Sequence, residues 1–192
     1  MSIVLALAAL LAAEPDTVAI QAVHNFGACV AEQTPRGARE VLALDFRSDE
    51  YQKKFRAMIK GHDRCLPFDA RLGTARLLFA GAMAEALIKF DVKAGELPQS
   101  LAFDPAREAI QARSPLEAMA LCTVMKAPQT TAKLFETEPA TDEERQAMQP
   151  LGGVLGNCLK KDTKAELNKP ALRSLLALAA WRIASAPKVG KR

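Results

Sequence analysis

Tyr51, Phe55, Met58, Ile59, His62, Cys65 and Leu66 recur at steps of three and four, the spacing that puts side chains on one helical face. Ser48-Asp49-Glu50 stands just ahead of them and supplies a helix cap. The pattern therefore predicts an amphipathic helix that starts at Ser48 and buries a face ending at Cys65. The same reasoning predicts a helix from Asp16 to about Gln33, a second opening at Thr34-Pro35, and a largely apolar one from Leu72 to Phe90. Beyond the joint Gly95 to Pro105 the signals return. Ser114-Pro115 opens a helix, another begins near Pro128, Thr141 and Glu144 form a capping box, and Pro170 to Ala184 reads as the last helix. Asp104-Pro105 is expected to open a short extra helix in the joint.

The two sets of signals are in register. Cys29 and Cys65 are separated by 36 positions, as are Cys122 and Cys158, and a shift of 93 lays one stretch on the other. Pro35 then meets Pro128, Ser48-Asp49-Glu50 meets Thr141-Asp142-Glu143, Phe55 meets Met148, and Met58 meets Leu151. Only six of the 38 positions from Cys29 to Leu66 are identical, so the signal lies in which residues match: both cysteines, the helix-starting proline and the cap. Past the second cysteine the register slips by two, with Leu72 on Leu167, Leu77 on Leu172, Met83 on Leu178 and Ile88 on Ile183. The expectation is an all-α protein of two tandem repeats of about 90 residues and four helices each, packed as a helical bundle or short solenoid. Repeat 1 spans 16–94, a joint 95–113, repeat 2 spans 114–184, and 185–192 is a basic disordered tail.

Composition agrees with helices. Of 192 residues, 49% are hydrophobic and only 5% aromatic, and the apolar set is mostly Ala and Leu, which favour helix over strand. The apolar share excludes intrinsic disorder. The net charge of +4 lies mostly in the tail, where Lys188, Lys191 and Arg192 supply three of the four charges. Lys160, Lys161 and Lys164 form the one basic cluster of the body, without aromatics beside it, so no nucleic-acid face is expected.

Residues 1–13 read as a signal peptide, with the cut falling as late as residue 19, because Ser2 to Ala13 is an uninterrupted apolar run too short to span a bilayer. No second stretch of membrane length follows, so no transmembrane span is expected in the mature chain. In a periplasmic or secreted protein an even cysteine count reads as disulfides, and the repeat selects Cys29–Cys65 and Cys122–Cys158 among three connectivities. No close Cys pair suits zinc, and no metal or cofactor is expected.

Two residues are catalytic candidates, each with a plainer alternative. His62, in GHDRC, has Leu155 as its repeat partner, which favours a packed histidine. Glu85 lies alone in LLFAGAMAEALI, where burial would raise its pKa and make it an acid; the preferred reading turns it to the surface to pair with Lys89, four residues on. His24 is expected at a half-exposed position, Trp181 as a core anchor, and Gly152-Gly153 beside Pro150 as a kink or a close helix crossing. No nucleotide-binding, hydrolase or zinc-protease motif is present in the sequence.

A secretory leader followed by two copies of cysteine, helix-starting proline, capped helix, cysteine and apolar helix resembles uncharacterised exported all-helical proteins of Gram-negative bacteria. The resemblance implies compartment and fold, and no activity. The leading functional expectation is a non-enzymatic interaction scaffold whose partner is another envelope or secreted protein. The alternative is a carrier of a small apolar or amphipathic ligand held between the repeats, with an enzyme ranked third.

Overall fold

The computed structural model describes residues 17–65, 76–93, 95–160 and 167–187. Among them run ten helices and no strand: α1 Thr17–Gln33, α2 Pro35–Ala43, α3 Asp49–Lys60, α4 Arg76–Asp91, α5 Leu97–Leu101, α6 Pro115–Lys126, α7 Pro128–Phe135, α8 Asp142–Met148, α9 Leu151–Cys158 and α10 Lys169–Ala184. The protein is all-α. The segment expected to be a signal peptide, Asp16, Leu66, Leu72, Lys161, Lys164 and the tail charges lie outside the described residues. No helix among the described residues is long and apolar enough to cross a membrane.

Short polar side chains set where the helices begin. The Ser48 hydroxyl accepts from the Tyr51 amide (3.1 Å), Ser114 from Glu117 (3.1 Å), Thr141 from Glu144 (3.2 Å), and the Asn168 amide oxygen accepts from Ala171 (2.9 Å). Proline occupies the first turn of α2, α5, α6, α7 and α10, where its missing N–H costs no helical bond.

Two local expectations change. The short helix of the joint precedes Asp104 rather than starting there: Pro98 sits in the first turn of α5 and Leu101 anchors it wholly buried. Asp104 instead makes a turn, its carboxylate accepting from the Ala106 amide at 2.9 Å. In the second half the helix opened by Thr141 is broken into α8 and α9 around Gln149-Pro150. Gly152, Gly153 and Gly156 face open space, so they form no close helix crossing.

α4 is the central helix, with α1 on one side and α10 on the other. Both crossings depend on glycine. A Cβ on Gly27 would lie 2.6 Å from Ala82 Cβ and 2.8 Å from the Phe79 carbonyl oxygen. One on Gly81 would lie 2.4 Å from Ser174 Cβ and 2.5 Å from its Cα. Backbone therefore meets backbone at both contacts, which is how a chain poor in large aromatics reaches close packing. Phe26, Phe55 and Phe79 supply the bulk, with Phe26–Phe79 ring centres 5.0 Å apart and Phe55–Phe79 5.2 Å. The core is continuous from Val23 to Ile183 and draws on both halves.

Both expected disulfides are present. Cys29–Cys65 ties α1 to the short turn after α3, and Cys122–Cys158 ties α6 to the end of α9, each with Cα atoms 5.7 Å apart; no cysteine is free. Each closes a loop whose entropy is worth roughly 4 kcal/mol in the chain-entropy model. Because the core is shared, replacing Cys29 and Cys65 together by Ser should lower global stability by about 2–5 kcal/mol while the chain still melts in one transition. Differential scanning calorimetry checks this; two resolved transitions would mean that the halves fold separately.

Candidate functional site: an apolar cleft beside a buried ion cluster

α4 and α10 run antiparallel: Glu85 meets Arg173 and Gly81 meets Ser174. Beyond that crossing, Leu77 and Ala80 of α4 face Leu175, Leu178 and Trp181 of α10 across a cleft of about 340 Å³. α2 and the segment after it add Leu42, Leu44 and Phe46, α3 adds Tyr51 and Gln52, and the start of α6 adds Leu116 and Glu117. Its walls are overwhelmingly apolar, and they come from both halves of the chain. Leu77, Leu116, Leu175 and Leu178 are only half-buried, so apolar surface that the core could have covered stays open here. The volume falls at the low end of the ~300–1,000 Å³ typical of small-molecule sites.

Charge is uneven around this cleft. Arg76, Arg113 and Arg182 line it, against the single carboxylate of Glu117. Glu117 is bound by the Arg182 guanidinium and accepts from the Arg113 backbone amide at 2.5 Å. The Arg113 guanidinium donates to the Leu44 and Ala43 carbonyls at 2.7 and 2.9 Å, joining the α6 start to the end of α2. Burial, with Arg182 close by, pulls Arg113 below its ordinary pKa. Trp181 is 6% exposed, and its Nε1–H is buried without a hydrogen-bond partner among the described residues.

Glu85 is not where the Lys89 pairing placed it. It is 2% exposed, and Lys89 Nζ, on a largely solvated side chain, reaches only to 3.9 Å. Its partner is Arg173, whose Nε and Nη2 donate to Oε2 and Oε1 at 2.9 and 2.6 Å in a bidentate pair. Arg173 also donates to Glu144 Oε1 (3.0 Å), Thr137 Oγ1 (3.2 Å) and the Thr137 carbonyl (2.8 Å). His24 of α1 brings Nε2 to 3.4 Å from Glu85 Oε2, an ion-pair distance without hydrogen-bond alignment. Burial pushes Glu85 toward the protonated form, but His24 and Arg173 outweigh it, and the carboxyl is held below its ordinary value of 4.5. An acid catalyst needs the opposite shift, so this cluster reads as structural.

The remaining candidates fill packing roles. His62, just past the end of α3, has Nδ1 2.7 Å from the Met58 carbonyl and Nε2 3.2 Å from the Thr34 hydroxyl, which fastens α3 to the start of α2. All four cysteines are bridged. Lys160 is exposed, and no group of His, Cys, Asp and Glu suited to a metal occurs among the described residues. No protein-family model, curated protein or solved structure matches the chain.

The depressed Glu85 pKa fixes the sign of a pH effect. Its contribution to stability is complete above about pH 4.5, the unfolded value, and is lost as pH falls through the lower folded value. Urea unfolding from pH 7 to pH 3 should therefore show stability falling on the acid side, with a shallower fall in Glu85→Gln. An equal slope in both proteins would remove Glu85 from the acid response.

Proposed function

We propose that this chain binds a small apolar or amphipathic ligand in the cleft between its halves, as a carrier rather than a catalyst. The observation that carries this reading is the apolar opening itself. Half-buried leucines of α4, α6 and α10 face a cavity of about 340 Å³ beside a tryptophan whose buried N–H has no partner among the described residues. Leaving that surface uncovered forgoes about 25 cal/mol for each Å² that closer packing would remove from water, and a ligand recovers it. Two disulfides and the apolar run from Ser2 to Ala13 suit a carrier that works outside the cytoplasm. A second reading, docking to another envelope or secreted protein, draws on Phe90 and Phe103, whose side chains are 70% and 74% exposed.

Trp181 is the chain's only tryptophan and lines the cleft, so its emission reports occupancy. Titration with the neutral fluorophore N-phenyl-1-naphthylamine should saturate at one molecule per chain and shift Trp181 emission. Leu178→Gln should weaken uptake about tenfold while the melting temperature stays within a few degrees. Absent or non-saturating uptake would overturn the carrier reading and leave the docking one.

A further inference from the structure

We propose that the ligand of this cleft is an anionic amphiphile, a carboxylate on a medium-length apolar chain, with its head held by Arg76 and the Tyr51 hydroxyl. The inference rests on the cleft being a ligand site and adds the charge, polarity and orientation of the occupant.

The argument for an anion is one of unmet donors. The three arginines and one glutamate that line the cleft leave it with a net charge of +2. Two of those arginines are committed, Arg182 to Glu117 and the Gln111 carbonyl, and Arg113 to the carbonyls of Ala43 and Leu44. Arg76 differs. Its one hydrogen bond among the described residues goes to the neutral Gln52 side chain at 2.8 Å, and no carboxylate among them lies within ion-pair distance. Gln52 is itself fixed by donating to the Phe46 carbonyl at 2.9 Å, so the guanidinium is positioned without being neutralised.

Tyr51 supplies the second donor. It lines the cleft and is 7% exposed. Burial pushes the phenol up to about 12, against the pull of Arg76 and Arg113, so it stays protonated and donates. Tyr51, Arg76 and Arg113 line the same cleft. The antiparallel register brings Trp181, whose N–H has no partner among the described residues, to the same end of α4 as Arg76.

Occupant classes can then be ranked. A cationic amphiphile would add a positive charge to a rim that already carries an excess. A neutral one would leave Arg76 uncompensated and gain only the apolar walls. An anion gains a charge-assisted hydrogen bond from Arg76 and a second from Tyr51, while its chain covers the half-buried leucines. The cleft's small volume suits one medium-length chain and excludes a two-chain lipid.

The test is isothermal titration calorimetry of the oxidised full chain with decanoate, decanol and decyltrimethylammonium at low ionic strength. Decanoate should bind about tenfold tighter than decanol, with the cation weakest. Arg76→Gln, a change at an exposed site, should bring decanoate down to the affinity of decanol and leave decanol unaltered. Tyr51→Phe should cut decanoate binding about fivefold without moving decanol. Equal binding of decanoate and decanol, or an Arg76→Gln variant that binds decanoate as the parent does, would overturn the head-group assignment and leave the cleft as an apolar site. Failure of all three ligands to bind would overturn the carrier reading as well.

Discussion

A guanidinium buried in a protein must find an acceptor for every one of its five N–H groups, because each one left unmatched carries its full desolvation cost. Arg173, in the second turn of α10, meets that condition through five hydrogen bonds to Glu85, Glu144 and Thr137. The three acceptors come from α4, from the first turn of α8 and from the loop between α7 and α8. None of these elements can slide along α10 without breaking a charged bond in a medium where water cannot replace it. Hydrophobic packing would tolerate such a slide far more readily, since it is not directional.

That constraint propagates. With Glu85 fixed on Arg173, Gly81 is brought against Ser174, and only glycine admits an approach that close. The same register leaves Leu77 and Ala80 facing Leu175 and Leu178 with space between them. Arg182 repeats the device nine positions later by gripping Glu117 in the first turn of α6. Glu117 and Glu144 hold parallel posts: each sits three residues after a capping Ser or Thr and accepts from the amide just before that cap, Arg113 or Ala140. Each thus serves a helix start and an α10 arginine at once. The two bridges act on another part of the problem, since they limit the unfolded chain more than they position the core.

Much of this was legible in the sequence, and the exceptions have a common cause. Caps, prolines and apolar spacing are local signals, and they located α2, α3, α6, α7 and α8, while the repeated cysteine spacing gave the disulfide partners. The charge cluster is not local. Glu85 and Lys89 are neighbours along one helix, and that pairing looked sufficient; Arg173 lies 88 positions away, and nothing in α4 announces it. A signal did exist, in that Glu85 stands inside the apolar run of α4 and Arg173 inside that of α10, and two charges of opposite sign can solve each other's burial. The cleft was illegible for a different reason. A leucine that lines a cavity and one that fills a core follow the same three- and four-residue spacing, so Leu175 and Leu178 could not be told from Leu176 before the helices were placed.

The most direct test of the account is a double-mutant cycle on Glu85 and Arg173, with Glu85→Met, Arg173→Met and the double variant unfolded in urea at pH 7. If the pair fixes the register, each single change strands a buried charge and costs about 3–5 kcal/mol, while the double change costs clearly less than the sum, with a coupling of about 2–3 kcal/mol. Additive losses would show that the two residues act independently, and that the α4–α10 register is held by packing alone.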